Sequence, residues 1–226
     1  MPATTVTFPS NGGEAQGYLS VPETVERSPG VVVLQEWWGL VPHIKDVADR
    51  FAREGYVALA PDLYRGRTTA EPDEANKLML DMKRDVAARD MAGAVRYLGS
   101  HPMCTGAVGV VGFCLGGGLA LLAACGNRDV RACVDFYGVL PGGQPDCERL
   151  GAPVLGLFGE RDPWIAAEAV AQLERELRGK NKTVETVIYA GAGHAFFNDT
   201  ADTYDADAAR DAWRRTLEWL ARFLRA

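Results

Sequence analysis

The segment Gly112-Phe113-Cys114-Leu115-Gly116-Gly117-Gly118 is the most informative part of this sequence about its fold. It follows the apolar run 107–111 and precedes the small apolar run 119–124, which predicts a strand, a sharp turn and a helix. Glycines two residues before and after Cys114 leave room for a strained turn that holds a reactive side chain above a sheet. The segment therefore predicts a cysteine nucleophile. A buried structural cysteine or a phosphate-binding loop would show a similar pattern.

The helix after Cys114 adds to this prediction. Its first backbone N–H groups have no partner within the helix, and together with the helix dipole they favour negative charge nearby. We therefore expect the turn to favour a thiolate and to supply part of an oxyanion hole.

Length and composition predict a single domain over residues 1–226, since 47% of these residues are hydrophobic and can form one core. The net charge of -6 is spread along the chain without a Lys/Arg run, so neither nucleic acid nor a membrane is an expected partner. The first five residues lack the pattern of a signal peptide, and no segment is apolar enough to span a membrane. We expect a cytoplasmic protein and, by default, a monomer.

The five cysteines predict reduced thiols, because their number is odd and no CxxC pair occurs among positions 104, 114, 125, 133 and 147. Aspartates at 199, 202, 205 and 207 lack the glycine and terminal glutamate of a calcium loop, and we expect them to enrich the first turn of the last helix. The sequence thus predicts neither a disulfide nor a metal, and no cofactor is expected.

Short apolar runs alternate with helical patterns along most of the chain. Apolar residues at three- and four-residue spacing predict helices, most clearly over 87–98 and 213–224. The alternation predicts a mostly parallel sheet with helices on both faces, which binds ligands beyond the carboxyl ends of its strands. The predicted buried strands are 31–34, 56–60, 107–112, 132–137, 154–158 and 184–189.

Two other regions are predicted to lie at the margins of this sheet. Residues 6–8 and 16–21 flank the turn Asn11-Gly12-Gly13, which predicts an antiparallel hairpin at a sheet edge. The irregular stretch 64–73 is long enough to shape the rim of a pocket and too short for a cap domain.

A candidate acid and a candidate base follow two of the later strands. Asp162 lies in the loop after strand 154–158, and His194 lies in the glycine-flanked loop after strand 184–189. The order Cys114, Asp162, His194 is that of the nucleophile, acid and histidine in α/β-hydrolases. A histidine can take and return a proton at neutral pH, and a carboxylate bonded to its other nitrogen fixes its tautomer. The three residues predict a catalytic triad and the α/β-hydrolase fold.

Other residues of the same types are weaker candidates. His43 and His101 follow no predicted strand, and each is expected to be a partly exposed residue at a helix end. Glu160 competes with Asp162 as the acid, because an Asp-Pro pair also starts many turns.

The loop Gln35-Glu36-Trp37-Trp38-Gly39 follows the strand 31–34 and therefore reaches the same end of the sheet. In an α/β-hydrolase this loop supplies the second N–H of the oxyanion hole, here that of Trp37 beside that of Leu115. Glu36 needs a function or a partner, since a carboxylate beside a dry pocket is costly.

Taken together, these motifs resemble the dienelactone hydrolase family along essentially the whole chain. The resemblance implies an α/β-hydrolase fold without a large cap, and hydrolysis of lactones or small esters without metal or cofactor. The motifs that carry it are Glu36, Gly112 to Gly117, Arg161-Asp162, Gly193-His194 and the intervening Pro61-Asp62-Leu63-Tyr64.

The same resemblance implies a role for each site residue. Cys114 would be the nucleophile, His194 the base and later the acid, and Asp162 the residue that orients the histidine. Glu36 would receive the proton of a resting, neutral thiol when substrate binds. The acyl intermediate would be a thioester.

The sequence departs from the family where substrate binds. Two arginines of the family hold a substrate carboxylate, and Asn198 and a position near Pro72 stand in their places here, with Asn76 where an aromatic residue is expected. Arg65 or Arg67 could compensate, although two solvated loop charges are the simpler interpretation. Aromatic residues near the site, Phe197 included, predict an apolar pocket. The candidate substrate-binding residues are Trp38, Tyr64, Arg65, Tyr137, Phe196 and Asn198.

We therefore expect a dienelactone hydrolase-like enzyme whose partner is a small ester or lactone. One alternative is a general carboxylesterase with little activity on dienelactone. Another is a non-catalytic α/β module that holds a phosphate in the glycine turn, although such a turn normally offers Lys, Ser or Thr.

Overall fold

The computed structural model describes residues 3–10 and 12–225. The strands in these residues are β1 (Ala3–Ser10), β2 (Gly13–Ser20), β3 (Ser28–Leu34), β4 (Val57–Pro61), β5 (Cys104–Phe113), β6 (Val130–Phe136), β7 (Val154–Gly159) and β8 (Val184–Tyr189). The helices are α1 (Pro42–Arg53), α2 (Pro72–Asp81), α3 (Arg84–Ser100), α4 (Leu115–Gly126), α5 (Ala167–Gly179) and α6 (Ala206–Leu224).

The strands form one sheet in the order β1-β2-β4-β3-β5-β6-β7-β8. Strands β4 to β8, with β3, pair in parallel, whereas β1 and β2 form an antiparallel hairpin at the edge. This arrangement confirms the predicted mostly parallel sheet and its edge hairpin. Asn11, in the predicted hairpin turn, lies outside the described residues. In the described chain, the connection from β4 to α3 contains only the short helix α2 and loops, as expected for a protein without a large cap.

Both faces of the sheet are covered by helices. Along β3, Val32 and Leu34 pack into the core layer that includes residues of α3 and α4, whereas Val31 and Val33 pack into the layer of α1 and α6. The alternation explains why this strand is apolar at every position from 31 to 34, because neither face is solvated. Each fully buried side chain of this kind contributes roughly 1.5–3 kcal/mol relative to an exposed one.

The prediction that all five cysteines are reduced is wrong for two of them. Cys125, near the end of α4, and Cys147, in the irregular segment 137–153, form a disulfide with their Cα atoms 4.8 Å apart. They are separated by 22 residues, so no local spacing marks them as a pair. Cys104, Cys114 and Cys133 are free and buried.

The prediction for His43 is also wrong, because this residue is only 6% exposed. It lies in the first turn of α1, where its Nδ1 is 3.2 Å from the carboxylate of Asp199. The loop after β8 covers this helix end, which the sequence did not reveal. His101 follows the end of α3 and is partly exposed, as predicted.

Among the helices described, none has the length and apolar character that a membrane span requires.

Candidate active site

Cys114 occupies the sharp turn that the sequence predicts between β5 and α4. Its backbone has φ 54° and ψ -118°, a conformation that costs energy for a residue with a side chain. The turn is crowded, since an added Cβ at Gly112 would overlap the carbonyl group of Gly116. The backbone N–H of Cys114 donates to Phe136 at 3.0 Å, and its carbonyl accepts from Val139 at 3.0 Å. Neighbouring strand and loop thus hold the strained residue in place.

Asp162 and His194 meet at the same end of the sheet. Asp162 Oδ2 lies 2.6 Å from His194 Nδ1. The other carboxylate oxygen, Oδ1, accepts hydrogen bonds from the backbone N–H groups of Trp164 and Ile165 at 2.9 and 3.2 Å. Within the described chain His194 Nε2 has no hydrogen-bond partner, so it is available to a substrate or a water molecule. Glu160, the competing acid, is exposed and accepts from Gly191 instead.

Glu36 is only 1% exposed, and no Lys or Arg forms an ion pair with it in the described residues. Burial raises the pKa of its carboxyl group to about 7, although a hydrogen bond from Asn198 opposes the shift. That bond runs from Asn198 Nδ2 to Glu36 Oε2 at 2.8 Å. The N–H and hydroxyl of Thr200 both donate to Asn198 Oδ1, at 3.0 and 2.6 Å, which fixes the orientation of the amide.

The thiol of Cys114 is neutral in this arrangement. Burial raises its pKa to about 12, and the nearby carboxylates of Glu36 and Asp162 add to the shift. The backbone N–H groups of Leu115 and Trp37 interact with the sulfur and lower the pKa, but they do not outweigh burial. The helix N-terminus thus acts on the pKa of the thiol in the expected direction, but burial outweighs it and keeps the thiol neutral. The two N–H groups nevertheless converge beside the sulfur, where an oxyanion would form.

A cavity of about 400 Å³ opens over these groups. Trp38 and Asn198 are the two candidate substrate-binding residues that line it. Sequence reasoning missed Trp164, and it had noted Arg161 only as part of a motif. Both follow β7 in the loop of Asp162, and their position after a strand end was the available signal. The lining residues are Glu36, Trp37, Trp38, Cys114, Arg161, Pro163, Trp164, Gly193, His194, Ala195, Asn198, Ala201, Asp202 and Thr203.

Two aromatic residues that were predicted to bind substrate lie behind the cavity. Tyr137 and Phe196 are fully buried, and neither belongs to the lining. Their rings pack against each other with centroids 5.3 Å apart, and Tyr137 also packs against the ring of His194 at 5.0 Å. Phe197 belongs to the same core layer. These residues pack in the core against the histidine loop and do not form the pocket wall.

The remaining two candidates, Tyr64 and Arg65, do not line this cavity either. Tyr64 is 2% exposed and belongs to the core. Arg65 forms an ion pair with the buried Asp90 at 2.5 Å and donates to the carbonyl of Glu14. Its guanidinium is therefore paired with a buried carboxylate 25 residues along the chain, although the side chain is 45% exposed, and it does not line the cavity.

Comparison with known proteins gives concordant results. A family model described as the dienelactone hydrolase family matches residues 15–224. A Yersinia pestis relative, provisionally named a carboxymethylenebutenolidase, is 35% identical over 94% of this chain and 85% of its own. A Bradyrhizobium relative, provisionally named a 2-oxo-3-(5-oxofuran-2-ylidene)propanoate lactonase, is 35% identical over 95% of this chain and 92% of its own. The solved structure of a Klebsiella pneumoniae protein, provisionally described as a dienelactone hydrolase, matches with a TM-score of 0.90 and 32% identity, covering 98% of this chain and 99% of that one.

These similarities extend over nearly the whole length of each protein. The TM-score of 0.90 shows that the chain shares its overall fold with the Klebsiella pneumoniae protein. The predicted α/β-hydrolase type of fold is thereby confirmed. The chain belongs to the dienelactone hydrolase family of hydrolases.

Proposed function

We propose that this protein hydrolyses lactones or small carboxylic esters with Cys114 as the nucleophile, His194 as the proton carrier and Asp162 as its orienting acid. The observation that supports this most strongly is the 2.6 Å contact between Asp162, in the loop after β7, and His194, in the loop after β8, where His194 lines the same cavity as Cys114. Such a pair keeps Nε2 free to exchange protons at a reacting atom.

In the first half of the reaction, Glu36 accepts the thiol proton as the sulfur adds to the substrate carbonyl carbon. The carbonyl oxygen becomes an oxyanion and receives hydrogen bonds from the N–H groups of Trp37 and Leu115. When the carbonyl re-forms, the bond to the alcohol oxygen breaks. The proton held by Glu36 passes to His194 Nε2 and from there to the alcohol oxygen. This leaves a thioester and an ionised Glu36.

In the second half, His194 Nε2 takes a proton from water while the hydroxide adds to the thioester carbonyl. Collapse of this intermediate breaks the carbon–sulfur bond and releases the carboxylic acid. The proton on His194 then returns to the sulfur, so the resting thiol is restored. Four of the residues that act in these steps line the cavity: Glu36, Trp37, Cys114 and His194.

The charges around the cavity support a second possibility within the same chemistry, in which the preferred substrates are uncharged. Of the residues described in its lining, Arg161 alone is cationic, while Asn198 is bonded to Glu36 and Arg65 is bonded to Asp90. The lining lacks the pair of arginines that the family resemblance leads one to expect for a substrate carboxylate. This supports a general carboxylesterase with weak activity on dienelactone.

The first experiment compares hydrolysis of dienelactone and p-nitrophenyl acetate by the wild-type protein and Cys114→Ala. We expect Cys114→Ala to lose about a thousandfold or more in kcat/KM on either substrate. Cys104→Ala is the matched control, since this buried free cysteine lies at the start of β5, far along the strand from the turn. Full activity in Cys114→Ala would refute the proposed nucleophile.

The two substrates separate the two possibilities. Much faster turnover of dienelactone would indicate that Arg161 or another cation binds the substrate carboxylate and would support a role in the breakdown of aromatic compounds. Faster turnover of the neutral ester would indicate a general carboxylesterase. Acid quenching during turnover, followed by mass spectrometry, should locate an acetyl group on Cys114 if the intermediate is a thioester.

A further inference from the structure

Trp164 has an unusual position for a large aromatic side chain. It is 59% exposed, whereas Trp219 is only 4% exposed and lies in the core. Its ring borders the cavity that contains Cys114 and His194. A tryptophan exposed beside an apolar cavity offers a large flat surface that a bound molecule can cover.

The backbone of Trp164 is held by the proposed catalytic acid. Asp162 Oδ1 accepts from the N–H groups of Trp164 and Ile165, while Oδ2 of the same carboxylate contacts His194. Pro163, between the acid and the tryptophan, further restricts the backbone. The position of Trp164 relative to His194 is therefore set by one carboxylate rather than left to a loose loop.

The ring of Trp164 makes only steeply inclined contacts with other rings of the described residues, and 59% of the residue's surface is exposed. Its centroid lies 4.3 Å from that of His194 at an interplanar angle of 64°, and 6.0 Å from that of Trp37 at the same angle. Among the described residues no ring is stacked in parallel on it. A flat ring from a ligand could therefore lie against Trp164 without displacing another side chain.

The location beside His194 identifies which part of a substrate would reach this ring. In the proposed function, His194 Nε2 delivers a proton to the oxygen of the departing alcohol. The group attached to that oxygen must then lie next to the histidine, and Trp164 is packed against the histidine ring. The N–H groups of Trp37 and Leu115 form the proposed oxyanion hole and bind the carbonyl oxygen, which is a different part of the substrate.

We infer that Trp164 is a specificity-determining residue that binds the aromatic alcohol portion of the substrate, so that the preferred substrates are esters of phenols. This inference rests on the proposed function. A cavity of about 400 Å³ falls within the range of small-molecule sites, so an aryl ester fits its size. The mainly apolar lining around Trp37, Trp38 and Trp164 suits an uncharged ring.

The test compares phenyl acetate with ethyl acetate, which have the same acyl group and differ only in the alcohol. In Trp164→Ala we expect kcat/KM for phenyl acetate to fall about tenfold, mainly through a higher KM, and that for ethyl acetate to stay within about twofold. Trp164→Phe should retain most of the activity on phenyl acetate, because it keeps a flat ring. Leu80→Ala is the matched control, since Leu80 is an exposed apolar side chain on α2 outside the cavity lining.

Three results would overturn the inference. An equal loss on both esters through kcat would show that Trp164 acts by supporting His194 and does not select the alcohol. No change on either ester would show that the ring is not used, and a loss in Trp164→Phe as large as in Trp164→Ala would exclude a ring-binding role. Cys114→Ala with phenyl acetate tests the proposed function separately, because its outcome does not depend on Trp164.

Discussion

Two buried carboxylates in this protein have opposite surroundings. Asp90, on α3, is 2% exposed, and it accepts a hydrogen bond from Ser10 and forms an ion pair with Arg65. Glu36, after β3, is 1% exposed and has only the neutral amide of Asn198 as a side-chain partner in the described residues. Asp90 thus has an oppositely charged partner, whereas the partner of Glu36 is neutral. Burial raises the pKa of Glu36 to about 7.

The difference separates a paired structural charge from the carboxylate that we propose takes part in the reaction. A paired buried carboxylate fixes the elements around it, here the loop of Arg65, the end of β1 and α3. An unpaired buried carboxylate lowers stability at neutral pH, and such groups concentrate where proton transfer is needed. Four predictions test this distinction between the two carboxylates.

The largest effect is expected in Glu36→Gln. Loss of the proton acceptor beside the Cys114 thiol should lower kcat/KM for p-nitrophenyl acetate by about a hundredfold or more, while the free energy of unfolding at pH 8 should not fall. Steady-state kinetics and urea denaturation measure the two quantities. A stopped-flow thiolate signal on substrate binding that equals that of the wild type would contradict the proposed role of Glu36.

The second effect is a pH dependence of stability. Burial raises the pKa of Glu36 from 4.5 to about 7, so the folded protein binds this proton more tightly than the unfolded chain does. The stabilising contribution is therefore present below pH 4.5 and is lost as the pH rises to about 7. Relative to Glu36→Gln, the unfolding free energy of the wild type should fall by about 3 kcal/mol over this range. Burial shifts the pKa of Asp135 the same way, which is why the difference between the two proteins is the quantity to measure.

The third change is Arg65→Ala, which removes the cation from Asp90. Because the Asp90 side chain is buried and that of Arg65 is 45% exposed, we expect a loss of about 2 kcal/mol of stability and a change in kcat/KM of less than about twofold. Asp90→Asn in the Arg65→Ala background should recover part of this loss, because it removes the unpaired charge. Arg67→Ala, two residues away and exposed, is the control. An unchanged unfolding midpoint in Arg65→Ala would show that the pair is not structural.

The smallest effect concerns Asn198. Its hydrogen bond lowers the pKa of Glu36, so Asn198→Ala should raise that pKa further and move the acidic limb of the pH profile of kcat/KM upward by about one unit. Thr200→Val removes the hydroxyl donor that orients the amide and should shift the limb less, in the same direction. A shift toward lower pH in Asn198→Ala would contradict this account.

Much of the architecture was predictable from local patterns. The runs 154–158 and 184–189 lie within β7 and β8, and the glycines around Cys114 predicted a turn that the structure shows at φ 54°. Spacing along the chain encodes such features directly, because periodicity and glycine conformations are local properties. The sheet rule then placed Asp162 and His194 at one end, where the structure has them in contact.

The predictions that were wrong depended on contacts between distant segments. The disulfide joins residues 22 positions apart, the partner of Arg65 lies on α3, and the end of α1 that holds His43 is covered by the loop of Asp199. Phe196 and Tyr137 have the composition of pocket residues and are nevertheless buried behind the site. None of these pairings has a signature in local spacing.

The alternation of strands and helices, the strained turn at Cys114 and the chain order of the proposed triad could all be predicted from the sequence. The pairing of charges, the aromatic rings that line the cavity and the ionisation of the resting thiol depend on the tertiary structure. The reason is that burial and desolvation depend on everything that packs around a group. The same glycine turn would favour a thiolate in water, and here it contains a neutral thiol because the surrounding loops exclude water and bring Glu36 beside it.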